Sequence, residues 1–238
     1  MAKEQVPLET LVLKEHVSGK FPARFETGPV LIAEIKPRSP SAGTLIEHSP
    51  LEIADLYAKS DADVISVLTD STYFGGSLEL LENVHARVPQ PILRKDFIID
   101  EYQVYETAAS SASIFLLIAT ILDAATLRSL RELGESLGLD ALVEVHDERD
   151  IEKAITSGAR VVGINNRDLT EMQTDIETTE RLASLVPSAV PLISESGIDN
   201  PEDVRRVHAV GARGILVGTS ILRSGDPTAK IAELKRAL

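Results

Sequence analysis

From Val30 onward, eight short apolar runs alternate with segments of helical periodicity, and this alternation limits the fold more than any other feature of the chain. The runs are Val30–Ile35, Val64–Leu68, Pro91–Leu93, Ile114–Ile118, Ala141–Val145, Val161–Ile164, Pro191–Ile193 and Gly214–Val217. A strand apolar on both sides of its pleat is buried by helices on its faces, which is the habit of parallel sheets. The intervening segments carry helix punctuation. In Ser49-Pro50-Leu51-Glu52 the serine can accept from orphan backbone N–H groups, the proline sacrifices no needed donor, and the glutamate can reach back to the cap. Asn200-Pro201 repeats the device, and Gly138, Gly158 and Gly211 sit where helices should stop.

A weak internal repeat counts the units. Asp61-Ala-Asp-Val, Ser111-Ala-Ser-Ile, Gly158-Ala-Arg-Val and Gly211-Ala-Arg-Gly each join a helix end to the next apolar run, at spacings of about 50 residues. Two strand–helix units per repeat give an α/β chain that closes most economically as a single parallel (β/α)8 TIM barrel. An open doubly wound sheet would want a G-x-G-x-x-G turn after its first strand, and none is present. The expected organisation is a short N-terminal extension over residues 1–28, with at most a short helix before Gly19, and a barrel domain over residues 29–238. Where Asp61 and Ser111 replace the cap glycine, the helix ends must be closed differently or at a small cost.

The net charge of −13 disfavours nucleic acid and anionic membranes as partners, so any bound anion needs a local site. The chain has no cysteine, which removes disulfides and thiolate chemistry. Its five histidines, His16, His48, His85, His146 and His208, lack metal-ligand spacing, and surface or helix-face positions are expected for each. No metal is expected. MAKEQVPLET has no apolar export core and no run reaches membrane-spanning length, so the cytoplasm is the expected location.

In a barrel of this type the chemistry sits at the C-terminal ends of the strands. Those ends carry Glu34 and Lys36, Lys95, Glu144, Asn165, and Glu195 followed by Ser196. Glu34 and Lys36 are two apart and project from one face. An isolated E-x-K is as readily an edge ion pair, but the apolar run before it argues for burial. Glu144, in a buried run, requires a cationic neighbour, which Lys36 or Lys95 could supply. Of Asn165 and Asn166, one alone can face inward. After the seventh run comes Ser194-Glu-Ser-Gly-Ile and after the eighth Gly218-Thr-Ser-Ile. Small residues there let backbone N–H groups approach an anion, which points to a phosphate monoester.

The motifs IAEIKPRSPSAG, ISVLTDSTYFGGS, LRKDFIID, LLIATILD, ALVEVHDE, GINNRDL, ISESGI and LVGTSIL resemble, in order and spacing, those of the indole-3-glycerol-phosphate synthase family. The resemblance covers residues 30 to about 225. It implies a carboxy-lyase of tryptophan biosynthesis that closes 1-(2-carboxyphenylamino)-1-deoxyribulose 5-phosphate to an indole with loss of CO₂ and water, using no cofactor. It makes Lys95 the general acid on the ribulose carbonyl, Glu144 the acid/base partner in dehydration, and Glu34 a further catalytic carboxylate. Lys36 would meet the anthranilate carboxylate, and Asn165 and Glu195 the hydroxyls. Phe74 and Phe97 would wall the aromatic ring. Leu116 and Arg167 join the substrate-binding set, and Ser39, Ser196, Gly197, Gly218 and Thr219 the phosphate side. The expected partner is one small phosphorylated molecule, with the chain a monomer or weak homo-oligomer that a multienzyme complex could recruit. Two departures stand out: an N-terminal segment shorter than the family's usual extension, and the missing glycines at Asp61 and Ser111.

Two other readings compete. Phosphoribosylanthranilate isomerase, a related barrel, would want a Cys/Asp pair, and this chain has no cysteine. A non-catalytic phosphate-binding barrel would have no use for Glu34, Lys36, Lys95 and Glu144 together.

Overall fold

In the computed structural model, which describes residues 6–37, 49–168 and 173–238, all eight runs become strands that pair in parallel, each with the next and the last with the first, as a closed barrel. The strands are β1 (Val30–Ile35), β2 (Val64–Leu68), β3 (Ile92–Lys95), β4 (Ile114–Ile118), β5 (Asp140–Val145), β6 (Val162–Asn165), β7 (Leu192–Glu195) and β8 (Gly214–Val217). An N-terminal helix α1 (Lys20–Thr27) precedes them. Between strands lie α2 (Pro50–Tyr57), α3 (Leu78–His85), α4 (Glu101–Ala109), α5 (Ala124–Ser136), α6 (Glu148–Ser157), α7 (Glu177–Leu182) and α8 (Pro201–Ala209), with α9 (Thr219–Arg223) and α10 (Pro227–Lys235) after β8.

The helix signals act as their chemistry requires. Ser49 accepts from the Glu52 N–H at 3.3 Å while its own N–H donates to the Glu52 carboxylate at 2.6 Å, and Asn200 makes the equivalent box with Asp203. Gly138, Gly158 and Gly211 all have left-handed φ, at 83°, 84° and 105°. At the two helix ends without glycine a serine does the closing. Ser60 and Ser110 each donate to the carbonyl three residues back and accept from the N–H two residues on. Ser111 is further held by Glu82, which accepts from its N–H at 2.6 Å and its hydroxyl at 2.7 Å.

Strands β3, β6 and β7 run further than their apolar runs, ending on Lys95, Asn165 and Glu195. A parallel ladder is made by the backbone, so it continues past the point where side chains become polar. β3 and β7 start one residue after Pro91 and Pro191, since proline has no N–H to give the ladder. The Pro91 carbonyl still accepts from Ile65.

Two apolar layers result. Leu31, Ala33 and Ile35 of β1 face outward to the helices, in a core shared with Ile53, Ile65, Phe115 and Ile215. Val30 and Ile32 face inward, joining Val64, Leu93, Ile114, Leu116, Leu142, Ile193 and Leu216 inside the barrel. Phe21 and Phe25 of α1 belong to that inner cluster and stack edge to face at 5.7 Å. The N-terminal segment therefore has a full helix after Gly19, beyond the short helix its sequence suggests, and it closes the N-terminal end of the barrel.

α1 has no side-chain cap of its own, its N-cap being Gly19. Asp140, the first residue of β5, takes that role. Its carboxylate accepts from Gly19 N–H at 2.7 Å, Phe21 N–H at 2.9 Å and the Ser18 hydroxyl at 3.1 Å. The two N–H groups are orphan donors of a helix start, and a negative charge there also suits the helix dipole. Asp140→Ala should destabilise the fold by about 1 to 3 kcal/mol, read from urea unfolding; a variant as stable as the parent would show that α1 is held by Phe21 and Phe25 alone.

Candidate active site

Side chains on the inward face of a strand are two residues apart, and five of the strands carry an apolar or small residue in the barrel and a polar one above it. Ile32 leads to Glu34, Leu93 to Lys95, Leu142 to Glu144, Gly163 to Asn165, and Ile193 to Glu195. The polar tier meets at the C-terminal mouth. Lys95 Nζ lies 2.9 Å from Glu144 Oε2 and 2.9 Å from Glu195 Oε2, joining β3 to β5 and β7 across the opening. Lys36 Nζ lies 2.7 Å from Glu34 Oε1. The cationic neighbour that Glu144 needed is thus Lys95. All of these side chains are buried or nearly so, Glu195 at 1% exposure and Lys95 at 15%.

Three carboxylates and two ammonium groups share this volume, and the imbalance sets their protonation. Burial pushes the Glu195 carboxyl up, and the neighbouring Glu144 charge adds to this, so that despite Lys95 it is raised to about 8. Its Oε1 is buried without a hydrogen-bond partner, as fits a carboxyl that resists ionising. Burial acts upward on Glu144 too, but Lys95, His146 and Asn165 outweigh it and hold that carboxyl low. Burial likewise opposes the charge on Glu34 and is overcome by Lys36 and Lys95. Lys95 is disfavoured as an ammonium by burial, yet Glu144, Glu195 and Glu34 hold its proton firmly. Glu144 and Glu195 are best regarded as one titrating pair around Lys95, with one proton retained near neutrality.

A cavity of about 310 Å³ opens above these groups. It is lined by Glu34, Lys36, Lys95, Glu144, Asn165 and Glu195, by Phe74, Phe97, Leu116 and Arg167, and by Ser196, Gly197, Gly218 and Thr219. Every expected site residue is brought together there except Ser39, which lies outside the described residues. Phe74 and Phe97, on the loops after β2 and β3, have ring centroids 6.4 Å apart. Asn165 is the inward member of its pair. Asn166 turns outward and ties β6 to β7, donating to Ser194 Oγ and the Ser196 carbonyl at 2.9 Å each.

The loop after β7 holds Ser196 at φ 66°, the one positive φ at a residue other than glycine among the described residues, followed by Gly197 at 74°. Such a conformation costs about 1 kcal/mol or more, and the Asn166 bond to the Ser196 carbonyl helps hold it. Two glycines exist for close approach. A β-carbon at Gly163 would overlap Glu195 Oε1, and one at Gly218 would lie 2.6 Å from Glu34 Oε1.

Other lining residues carry no strand-end signal. Asp70 accepts from the N–H groups of Tyr73 and Phe74 and so sets the Phe74 loop. Asp96 accepts from Thr69 Oγ1 at 2.6 Å and pairs with Arg94 at 3.0 Å. Arg94, outward on β3 and buried, also binds Glu106 of α4 at 2.7 Å. Thr174 and Arg223 also line the wall. His146 departs from its expected surface position: its side chain is 14% exposed and its Nε2 lies 3.5 Å from Glu144 Oε1.

A (β/α)8 barrel with two lysines set among three buried carboxylates, at the end where such barrels do their chemistry, defines an enzyme working by acid–base catalysis. The profile of the family described as "Indole-3-glycerol phosphate synthase" matches residues 3–234. The chain belongs to the indole-3-glycerol phosphate synthase family. Proteins of that name from Carboxydothermus hydrogenoformans, at 45% identity over 95% of this chain and 86% of theirs, and from Roseiflexus sp., at 49% over 86% and 79%, are among its relatives. Among solved structures, 3-hexulose-6-phosphate synthase from Salmonella typhimurium superposes with a TM-score of 0.70 at 14% identity, covering 88% of this chain and 98% of that one. At that identity the likeness is one of fold.

The raised Glu195 carboxyl has a consequence for stability. A group whose pKa is higher folded than unfolded stabilises most below its unfolded value of about 4.3 and loses that contribution as pH rises through the folded value. Glu195→Gln should therefore gain on the parent between pH 4.5 and about 8, by up to about 1.4 kcal/mol per pH unit, with a plateau above. Melting temperatures across that range test this. Parallel curves for the two proteins would show that Glu195 ionises as freely folded as unfolded.

Proposed function

We propose that the chain closes the pyrrole ring of indole-3-glycerol phosphate, taking 1-(2-carboxyphenylamino)-1-deoxyribulose 5-phosphate and releasing CO₂ and water, as a carboxy-lyase of tryptophan biosynthesis in the cytoplasm. Family membership supports the reaction, and one geometric fact carries the mechanism: the Lys95 ammonium is fixed between Glu144 and Glu195 at the floor of the cavity.

Attack of the ring carbon on the ribulose carbonyl builds negative charge on the carbonyl oxygen. Lys95, held charged by three carboxylates, stabilises that charge and supplies the proton. Loss of CO₂ then restores the aromatic ring. Dehydration needs a proton for the departing hydroxyl and a base for the hydrogen on the adjacent carbon; Glu144, held ionised beside Lys95, is the base, and it serves as the acid once a proton has been passed to it. Glu34 and Lys36 act as a pair. The lysine meets the anthranilate carboxylate, while Glu34 keeps Lys36 in place and adds to the field on Lys95.

Asn165 and Glu195 hold the substrate hydroxyls, and a protonated Glu195 can donate as well as accept. Phe74, Phe97 and Leu116 enclose the aromatic ring. In this reading Ser39, Ser196, Gly197, Gly218 and Thr219 form the phosphate side, and Arg167 belongs to the substrate-binding set. No cofactor enters any of these steps.

Lys95→Ala should lower kcat by about 10²-fold or more, followed by indole fluorescence, while leaving binding of a phosphate-bearing analogue within severalfold of the parent. A variant with near-parental kcat would remove Lys95 from the chemistry. Loss of analogue binding together with kcat would make it a binding residue.

A further inference from the structure

His146 is the histidine that the strand alternation brings to the rim: Asp140, Leu142, Glu144 and His146 follow one another on the inward face of β5 and just beyond its end. Its two nitrogens face different partners. Nε2 is buried, lacks a hydrogen-bond partner, and points at Glu144 Oε1 from 3.5 Å. Nδ1 lies 2.9 Å from Thr120 Oγ1, in the short helical turn after β4.

The direction of each bond follows from Asp150. This residue of α6 is buried and forms an ion pair with Lys153 at 2.9 Å, in which its carboxylate oxygens act as acceptors. Thr120 Oγ1 therefore donates its proton to Asp150 Oδ2. That leaves only lone pairs on Thr120 for His146, so Nδ1 must carry the hydrogen. Nε2 is then the nitrogen free to gain or lose a proton, and Glu144 is what it faces. The charged groups around the imidazole are Glu144 on β5, Asp150 and Lys153 on α6, and Lys95 of β3 beyond Glu144.

We propose that His146 is a positioning residue that stores the proton of Glu144, so that one carboxylate serves the dehydration first as acid and then as base. This rests on Glu144 being the dehydration carboxylate. The pair exchanges one proton between Nε2 and Glu144 Oε1, which face each other across 3.5 Å. The proton passes to Glu144 Oε1, which gives it to the substrate hydroxyl as the C–O bond breaks and water leaves. Glu144, again a carboxylate, takes the proton from the adjacent carbon, whose C–H electron pair becomes the new ring double bond. That proton returns to Nε2, and the pair ends as it began. The imidazole is also among the causes that hold the Glu144 carboxyl low.

Two measurements test this. Nitrogen-15 NMR of the parent should show neutral His146 as the Nδ1–H tautomer, with shifts that move in Glu144→Gln; an Nε2–H tautomer would overturn the proposal without reference to activity. His146→Gln should lower kcat about tenfold or more with KM within twofold. The acidic limb of kcat/KM should move up by about half a unit or more, since a cation that favours ionised Glu144 is gone. Comparison with the parent at each pH cancels the substrate's own titration. Thr120→Val, which leaves Glu144 and Glu195 untouched while removing the bonds to His146 and Asp150, should shift the limb in the same direction by less. Parental kinetics in His146→Gln, or a fall in kcat with an unmoved pH profile, would reduce His146 to a packing role. If Glu144→Gln itself kept full activity, the assignment of Glu144 would fail first; if it were inactive while His146→Gln behaved as the parent, the proton store alone would fail.

Discussion

The contact on which the rest of the molecule depends is the bridge from Lys95 to Glu144 and Glu195. Taking ions out of water costs several kcal/mol each, and mutual attraction offsets that only where geometry is good and the remaining lone pairs are met. Here the barrel supplies the geometry by fixing β3, β5 and β7 at set distances around a closed ring. The offset is incomplete, because one carboxylate is in excess, and its proton is the result. A site built to be electrically balanced would hold no exchangeable proton at neutral pH. The surplus acid is what makes a set of ion pairs into a store of protons.

The bridge also dictates its neighbours. Lys36 must neutralise Glu34, or the mouth would hold two uncompensated charges. Gly163 must lack a β-carbon because Glu195 occupies that space, and Gly218 is confined in the same way by Glu34. The Asn166 contacts to Ser194 and Ser196 then fix the loop that follows Glu195. Rigid support of this kind suits acid–base chemistry, where a misplacement of about 1 Å can cost orders of magnitude in rate.

Much of this was legible from residue order alone, and what was legible shares a cause. Strand cores, the capping boxes at Ser49 and Asn200, and the stop glycines depend on residues within a few positions of one another. Once the barrel is assumed, period 2 brings Lys95, Glu144 and Glu195 to one rim without further information. What escaped depends on partners far apart in the chain. Gly19 and the Asp140 that caps its helix are 121 residues apart, so nothing near α1 announces that it closes the barrel. His146 was read as a surface residue because its role is set by Thr120 and Asp150, on other elements. Gly163 has no local mark of its role, which is set by Glu195 on the neighbouring strand.

β5 joins both ends of the molecule. Its inward face carries Asp140 against α1, Leu142 in the apolar layer, and Glu144 in the mouth, and at about 3.3 Å per residue some 13 Å separate floor from site. The apolar layer between them is therefore only one or two side chains thick. Phe21 and Phe25 beneath it keep water from reaching the underside of Leu142 and Ile193. Electrostatic interactions in the mouth are strong because the medium around them is poorly polarisable, and water entering from below would weaken the hold of Lys95 on both glutamates. The helix that closes the barrel at one end thus sets the strength of the charges at the other.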